Sequence, residues 1–124
     1  MNNSFYQNLT CLFSKFFFNI YNIRKSTILI WKYDEINDCI FLDKKNSIFN
    51  SFNEYKYVNI SSKYTYKKNI DIIGNVFNKK QNYLICIELI SKDIFNRIDI
   101  AKLCKIKYID FQINDNIIYE ILIY

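Results

Sequence analysis

A run of lysines interleaved with tyrosines is the part of this sequence best suited to chemistry. It lies between residues 56 and 68 and comprises Lys56, Tyr57, Lys63, Tyr64, Tyr66, Lys67 and Lys68. Lysines neutralise phosphates, and a tyrosine ring can stack on a nucleic-acid base for roughly 1–3 kcal/mol. The pattern predicts a binding surface for single-stranded nucleic acid.

A second basic and aromatic group is formed by Trp31, Lys32 and Tyr33. The alternative for both groups is composition, because Ile, Asn, Lys, Tyr and Phe dominate the chain and all have A/T-rich codons. Basic side chains on an edge strand also deter sheet-to-sheet aggregation without any ligand. The net charge of +5, from 17 basic and 12 acidic residues, suits an acidic partner only modestly.

Catalytic chemistry has little support in the residue types present. The chain has no His and one Gly, which excludes Ser/His/Asp and Cys/His sites and glycine-rich phosphate loops. The paired carboxylates fall where turns are expected, and solvated turn acids are the simpler interpretation; they are Asp34, Glu35, Asp43, Asp110 and Asp115. We expect no enzymatic activity, no catalytic residues and no cofactor.

The four cysteines are Cys11, Cys39, Cys86 and Cys104. No two of them form a CxxC, and without His no zinc-like spacing exists, so we expect no metal site. Buried free thiols in a reducing compartment are favoured over disulfides.

No stretch reaches the roughly 18 uncharged apolar residues that span a membrane, and we expect no membrane partner. The N-terminus lacks the features of a secretory signal. Residues 1–25 have no acids and are amphipathic, which leaves a mitochondrial presequence as an alternative, although Arg24 is their only arginine.

Seven apolar residues near the N-terminus recur at helical spacing, with Ser4 available as an N-cap. They are Phe5, Leu9, Leu12, Phe13, Phe16, Phe17 and Ile20. The pattern predicts a helix over residues 4–18 with a large aromatic face. That face packs either on its own domain or on a partner subunit.

Five later segments are rich in β-branched and aromatic residues and predict strands. They are 27–33, 39–42, 55–60, 70–77 and 83–90. Gly74 lies within the fourth, where a glycine indicates a bulge or a sharp bend.

A second helix is predicted over residues 93–105. Ile94, Ile98 and Ala101 form one face with Phe95 beside them. Four basic residues remain for solvent: Lys92, Arg97, Lys102 and Lys105. The following tail, 106–124, predicts a pair of strands.

These elements together predict one mainly β domain over residues 1–124. Its strands, within 26–90, would form a small five-stranded OB-like barrel with an N-terminal and a C-terminal helix. The OB-fold is the commonest such barrel that binds single strands.

Three successive segments carry a resemblance to a known family. They are Ile70-Asp71-Ile72-Ile73-Gly74-Asn75-Val76, the apolar segment 83–90 and the predicted helix at 93–105. This stretch resembles the second half of the small OB-fold subunit of replication protein A. In that family, a strand of the form apolar–acidic–apolar–apolar–Gly–polar–Val precedes the last barrel strand and a closing helix. The hairpin ending in Ile40-Phe41-Leu42-Asp43 is similar to the family's first strands. Small OB-fold subunits of telomere-capping and helicase-associated complexes share this outline.

The resemblance implies a non-catalytic accessory subunit of a single-stranded-DNA-binding complex in replication, repair or telomere maintenance, located in the nucleus. Its partners would be larger OB-fold subunits, which Ile94, Phe95, Ile98 and Ala101 would face, and single-stranded DNA. The face at 93–105 has a simpler alternative, which is packing on its own barrel. A second functional hypothesis is an assembly subunit of another complex, such as an organellar ribosome, in the mitochondrion.

Overall fold

A six-stranded antiparallel sheet organises the chain in a computed structural model that describes residues 27–49 and 52–124. The described strands are β1 (Ile28–Asp34), β2 (Cys39–Leu42), β3 (Thr65–Tyr66), β4 (Tyr83–Cys86), β5 (Tyr108–Asn114) and β6 (Ile117–Ile123). The sheet is curled, and its order is β3-β2-β1-β6-β5-β4. The mainly β class is confirmed, with six strands instead of five. The helix predicted over 4–18 lies outside the described residues.

The two predicted hairpins at the ends of this region are confirmed. β1 and β2 are joined by a turn in which the Asp34 carboxylate accepts hydrogen bonds from the backbone N–H groups of Ile36, at 3.0 Å, and Asn37, at 3.3 Å. β5 and β6 are joined by two residues, of which Asp115 has a φ of 55°. Turns of this length favour positive φ because it matches the twist of the strands.

The first and last strands of the sheet region pair at its centre. β1 and β6 run antiparallel, with Ile28 opposite Ile121 and Trp31 opposite Ile118. This pairing joins the β1–β2 hairpin to the β5–β6 hairpin and makes one continuous sheet.

Within the described residues, three helices pack on the same face of the sheet, called here the inner face. They are α1 (Phe52–Ser61), α2 (Asp71–Lys79) and α3 (Ile98–Leu103). The main core lies between these helices and the inner-facing strand residues, among them Leu29, Trp31, Phe111 and Ile118. The opposite, outer face carries a separate apolar cluster of Ile28, Ile30, Tyr119 and Ile121.

The strand predicted at 55–60 is wrong, because these residues belong to helix α1. The buried positions are Glu54, Tyr57, Val58 and Ser61, which are spaced i, i+3, i+4 and i+7. That spacing is helical. The alternation of tyrosine and polar residues that suggested a strand does not match the pattern of burial.

The strand predicted at 70–77 is also wrong, because residues 71–77 belong to helix α2 and Ile70 is its N-cap. Its buried apolar residues Ile72, Ile73, Val76 and Phe77 lie on one side of a helix. Gly74 does not mark a strand bend. A Cβ built at this position would overlap the Lys67 carbonyl oxygen and lie 3.1 Å from the Asn69 nitrogen, so glycine permits α2 to lie against the loop before it.

The last barrel strand and the second helix are shorter than predicted. β4 ends at Cys86, and a turn follows instead of continuing the strand to residue 90. The chain then turns through 92–97, and α3 begins at Ile98 instead of residue 93. This non-helical approach turns Arg97 into the core, where it is 1 % exposed, whereas the sequence pattern assigned Arg97 to solvent.

Candidate functional site

The aromatic residues predicted to bind nucleic acid are mostly inside the protein. Trp31 and Tyr57 are fully buried and Tyr66 is 2 % exposed. Tyr64 is half-buried and stacks against Tyr66, with ring centroids 6.1 Å apart. The expectation that these tyrosines are exposed is wrong for Tyr57 and Tyr66, because their hydroxyls serve a buried polar network.

Arg97 is the centre of that network. Its Nη1 donates to Glu120 Oε1 at 2.9 Å, to Ser61 Oγ at 2.8 Å and to the Tyr57 hydroxyl at 3.1 Å. Its Nε donates to the Tyr66 hydroxyl at 3.1 Å. The guanidinium carbon lies 4.9 Å from the centre of the Trp31 ring. One side chain therefore joins α1, β3 and the central strand β6.

Glu120 completes the network from the inner face of β6. Its Oε1 also accepts from Trp31 Nε1 at 2.8 Å, and its Oε2 accepts from the Tyr57 hydroxyl at 2.5 Å. Both members of the ion pair have fully buried side chains. A buried pair of this kind needs such additional hydrogen bonds, because desolvation of two charges can exceed their attraction.

The electrostatics of the network point to a structural role. Burial works to lower the pKa of Arg97, but the nearby Glu120 carboxylate raises that pKa overall. Burial raises the pKa of Tyr57 and of Tyr66. The guanidinium therefore stays protonated and both phenols stay neutral near pH 7, so none of these three groups exchanges protons there as an acid–base catalyst would.

The predicted lysines lie on separate elements and most of them are exposed. Lys32 forms an ion pair with Asp43 at 2.7 Å. Lys67 donates to the Asn37 carbonyl oxygen at 3.3 Å, and Lys63 is exposed on the turn before β3. Lys56 projects from α1 over the ring of Phe52, 5.0 Å from its centre.

Three exposed aromatic residues, two of them in direct contact with Lys44 or Lys56, were not identified from the sequence. Phe52 is 70 % exposed, Phe49 is 40 % exposed and Tyr55 is 39 % exposed. Phe49 and Tyr55 have ring centroids 5.4 Å apart, and Lys44 Nζ lies 5.2 Å from the centre of the Tyr55 ring. We call these five residues the aromatic–lysine patch. The available signal was the occurrence of Phe49 and Phe52 within an otherwise polar segment.

The 3-10 turn and the helix α1 position this patch. Lys44 begins the turn Lys44–Asn46, which Asp43 caps by accepting a hydrogen bond from Asn46. The Lys44 ammonium also donates to Asn59 Oδ1 on α1 at 2.7 Å. Tyr55 and Lys56 lie on α1 itself, so both lysines are held beside aromatic rings by ordered elements.

The residues predicted to face partner subunits are mainly part of the protein's own core. Phe95 and Ala101 are fully buried and Ile98 is 5 % exposed. Only Ile94 among the four is substantially exposed, at 46 %. This arrangement matches the alternative in which the segment packs on its own domain.

Three cysteines lie among the described residues, and Cys39 and Cys86 are free thiols. Cys104 is buried, whereas Cys39 and Cys86 are half-buried. Among residues 27–49 and 52–124, no three His, Cys, Asp or Glu side chains lie close enough together to hold a metal ion. In the same part of the chain, no helix combines the length and apolar character needed to cross a bilayer.

Comparison with known proteins gives no family for this chain. No protein-family profile matches the sequence. No curated protein matches it either.

Proposed function

We propose that the protein is a non-catalytic binding subunit that holds single-stranded nucleic acid on the aromatic–lysine patch. The observation that carries this proposal is the 70 % exposure of Phe52, together with Lys56 Nζ 5.0 Å from the centre of its ring. An exposed aromatic face can stack on any base, and an adjacent ammonium can neutralise the phosphate of the same strand.

The chemistry of the patch favours sequence-independent binding. Its rings present faces, and its lysines present point charges without the planar fork that arginine uses for bidentate recognition of bases. We therefore expect binding to weaken strongly with added salt and to depend little on base sequence.

The wider role belongs to the same proposal. The sequence resemblance supports an OB-like barrel. It also supports an accessory position beside larger OB-fold subunits in a nuclear single-stranded-DNA-binding complex. The segment that carried the resemblance, residues 70–76, is helical from Asp71 onwards, so the patch is the stronger support. A second candidate is that the same patch docks on a neighbouring protein subunit, since exposed aromatic residues are also typical of interfaces.

The test is the affinity of the full chain for a fluorescent oligothymidylate, measured by anisotropy at two salt concentrations. Phe52→Ala should weaken binding about tenfold, which corresponds to the loss of one stacked base at about 1.4 kcal/mol. Leu103→Ala is the matched control, since Leu103 is 73 % exposed outside the patch and its loss should change nothing.

The charge contribution is tested separately. Lys56→Gln should reduce the salt dependence by about one released counterion, whereas Lys102→Gln, which changes an exposed lysine on α3, should not. Equal affinity of the wild type and Phe52→Ala would exclude nucleic acid as the ligand of the patch and leave docking on a protein subunit as the remaining candidate.

A further inference from the structure

Two lysines lie beside a stacked pair of aromatic rings near the turn between β1 and β2. Tyr33 in β1 and Phe77 in α2 stack with ring centroids 4.7 Å apart. Lys80 Nζ lies 3.6 Å from the centre of the Phe77 ring. Lys68 Nζ lies 4.8 Å from the centre of the Tyr33 ring and 5.7 Å from that of Phe77. We call these four residues the stacked-ring lysine site.

The charge of Lys80 is not neutralised by its hydrogen bonds. Its ammonium donates to the Asp115 carbonyl oxygen at 3.1 Å and to Asn116 Oδ1 at 2.9 Å, and both acceptors are uncharged. Burial lowers the pKa of Lys80 and the charge of Lys68 lowers it further, although the Asp115 carboxylate works to raise it. Two ammonium groups that repel each other beside one ring would both be stabilised by an anion.

The acid paired with Lys68 leaves that lysine available to a ligand. Asp38 Oδ1 lies 3.9 Å from Lys68 Nζ, and the two side chains are 62 % and 44 % exposed. The same Asp38 oxygen accepts the hydrogen bond from the Tyr33 hydroxyl. An exposed ion pair at this distance is weak, so a ligand phosphate can compete with Asp38 for Lys68.

We propose that the stacked-ring lysine site binds the sugar–phosphate backbone of the single strand whose base stacks on Phe52. This second contact rests on the proposed function, because it assumes the same strand. Lysines neutralise phosphates by charge. The rings at this site are already stacked on each other, and Phe77 is only 5 % exposed. The site therefore offers charge without a free ring face, which suits the backbone of the strand and not its bases.

A cleft beside Lys80 provides room for the backbone. Its volume is about 620 Å³, and it adjoins the turn between β5 and β6. The lining residues are Lys80, Ile113, Asn114, Asp115 and Asn116. The side-chain amides of Asn114 and Asn116 are potential donors to phosphate and sugar oxygens, and Asp115 is the single acid among these lining residues.

The two contact points lie towards opposite ends of β1. Ile48, which precedes Phe49 of the aromatic–lysine patch, is hydrogen bonded to Ile28 at the start of this strand, whereas Tyr33 lies near its end. The chain from Ile28 to Tyr33 covers about 17 Å at the usual rise of a strand. Stacked nucleotides rise by about 3.4 Å each, so a strand of about five nucleotides or more can reach both contact points.

The test measures the affinity of the full chain for a fluorescent oligothymidylate of about twelve nucleotides over a series of salt concentrations. For single strands, each lost phosphate contact reduces the slope of log affinity against log salt by about 0.7. Lys68→Gln combined with Lys80→Gln should therefore reduce the slope by about 1.4. Two matched variants should keep the wild-type slope. They are Lys68→Arg with Lys80→Arg, which preserves both charges, and Lys102→Gln with Lys105→Gln, which removes two exposed lysines outside the site.

Because Lys80 also packs on Phe77, circular dichroism should confirm that each variant is folded. Lys68→Gln alone, at a side chain that is 44 % exposed, is the milder change and should reduce the slope by about 0.7. A wild-type slope in both glutamine variants would overturn the second contact.

Phe52→Ala separates this contact from the proposed function, since it should lower the affinity and leave the slope unchanged. A wild-type slope in the glutamine variants with weakened binding by Phe52→Ala would retain the patch and remove the stacked-ring lysine site. Unchanged affinity of Phe52→Ala with a reduced slope in the glutamine variants would overturn the shared strand and leave the stacked-ring lysine site as the contact. A wild-type protein that does not bind the oligothymidylate would overturn both proposals.

Discussion

At the scale of single residues, the most consequential side chain is Arg97. Nothing in its sequence context distinguishes it from the neighbouring lysines, and a helical projection assigns it to solvent. In the structure it pairs with Glu120, and the same guanidinium reaches Tyr57, Ser61 and Tyr66. These partners are 23 to 40 residues away along the chain, so local sequence patterns could not have predicted the network.

Replacing Arg97 with Met should destabilise the protein by about 3–5 kcal/mol, because Glu120 would remain buried without its counter-ion. Chemical unfolding monitored by circular dichroism measures this loss. Lys102→Met, at an exposed position on the adjoining helix α3, is the control and should cost less than about 0.5 kcal/mol. The double variant Arg97→Met with Glu120→Gln should recover part of the loss, and strict additivity of the two changes would contradict the direct coupling.

Asp110 gives a prediction about pH. Burial raises the pKa of this carboxyl, although the hydrogen bond from Gln112 works to lower it. A carboxyl with a raised folded-state pKa contributes most to stability below its unfolded pKa, and this contribution is lost as the pH rises through the folded value.

Asp110→Asn should therefore stabilise the protein at pH 7 by about 1 kcal/mol, the scale of an incompletely compensated buried polar group. The gain should shrink as the pH is lowered through the folded-state pKa. Urea unfolding of both proteins between pH 4 and 8 tests this. Asp99→Asn, at an exposed ion pair with Lys92, should not reproduce it.

At the scale of elements, the sequence pattern predicts the hairpins correctly but predicts strands where helices α1 and α2 lie between them. Alternation and turn residues identify β1, β2, β5 and β6 correctly, because these strands form hairpins through local turns. Segments 55–60 and 70–77 contain the same β-branched and aromatic residues, yet they are helices. Their side chains meet the sheet at helical spacing, and tertiary packing overrides β propensity. The helix predicted over residues 93–105 is too long at its start, because the chain turns Arg97 into the core before α3 begins at Ile98.

Gly74 tests this interpretation of α2. In an ordinary helix interior, Gly→Ala stabilises by up to about 1 kcal/mol. Here the added methyl group would overlap the Lys67 carbonyl oxygen, so Gly74→Ala should instead destabilise by about 1–3 kcal/mol. Thermal unfolding measures the difference, with Asn78→Ala on the exposed side of α2 as the control. A Gly74→Ala protein more stable than the wild type would mean that the loop before α2 does not approach it closely.

At the scale of the whole molecule, the sheet depends on its last strand. β6 lies between β1 and β5, and it supplies Glu120 to the buried network and Tyr119 and Ile121 to the outer face. The edge positions are taken by the short strands β3 and β4, so the longest strands need no protection from edge pairing.

Removal of residues 117–124 should consequently abolish cooperative unfolding, since both sides of the sheet would lose their common neighbour. Loss of a sharp thermal transition, together with a disordered far-ultraviolet spectrum, is the expected result. Deleting Tyr124 alone, which lies beyond β6, should leave a cooperative transition. A truncated chain that still melts cooperatively would show that the β1–β2 hairpin and its helices fold without β6.

The pairing of β1 with β6 also has a consequence for synthesis on the ribosome. The partner of Ile28 is Ile121, which is added late, and chains grow at roughly 5–20 residues per second. The first hairpin must therefore remain without its central neighbour for roughly 5–20 s, until β6 has been synthesised and has left the exit tunnel. Throughout that interval Ile28 and Ile30 lack their partners on β6. Because they are apolar side chains on a nascent chain, we expect a ribosome-associated chaperone to bind them.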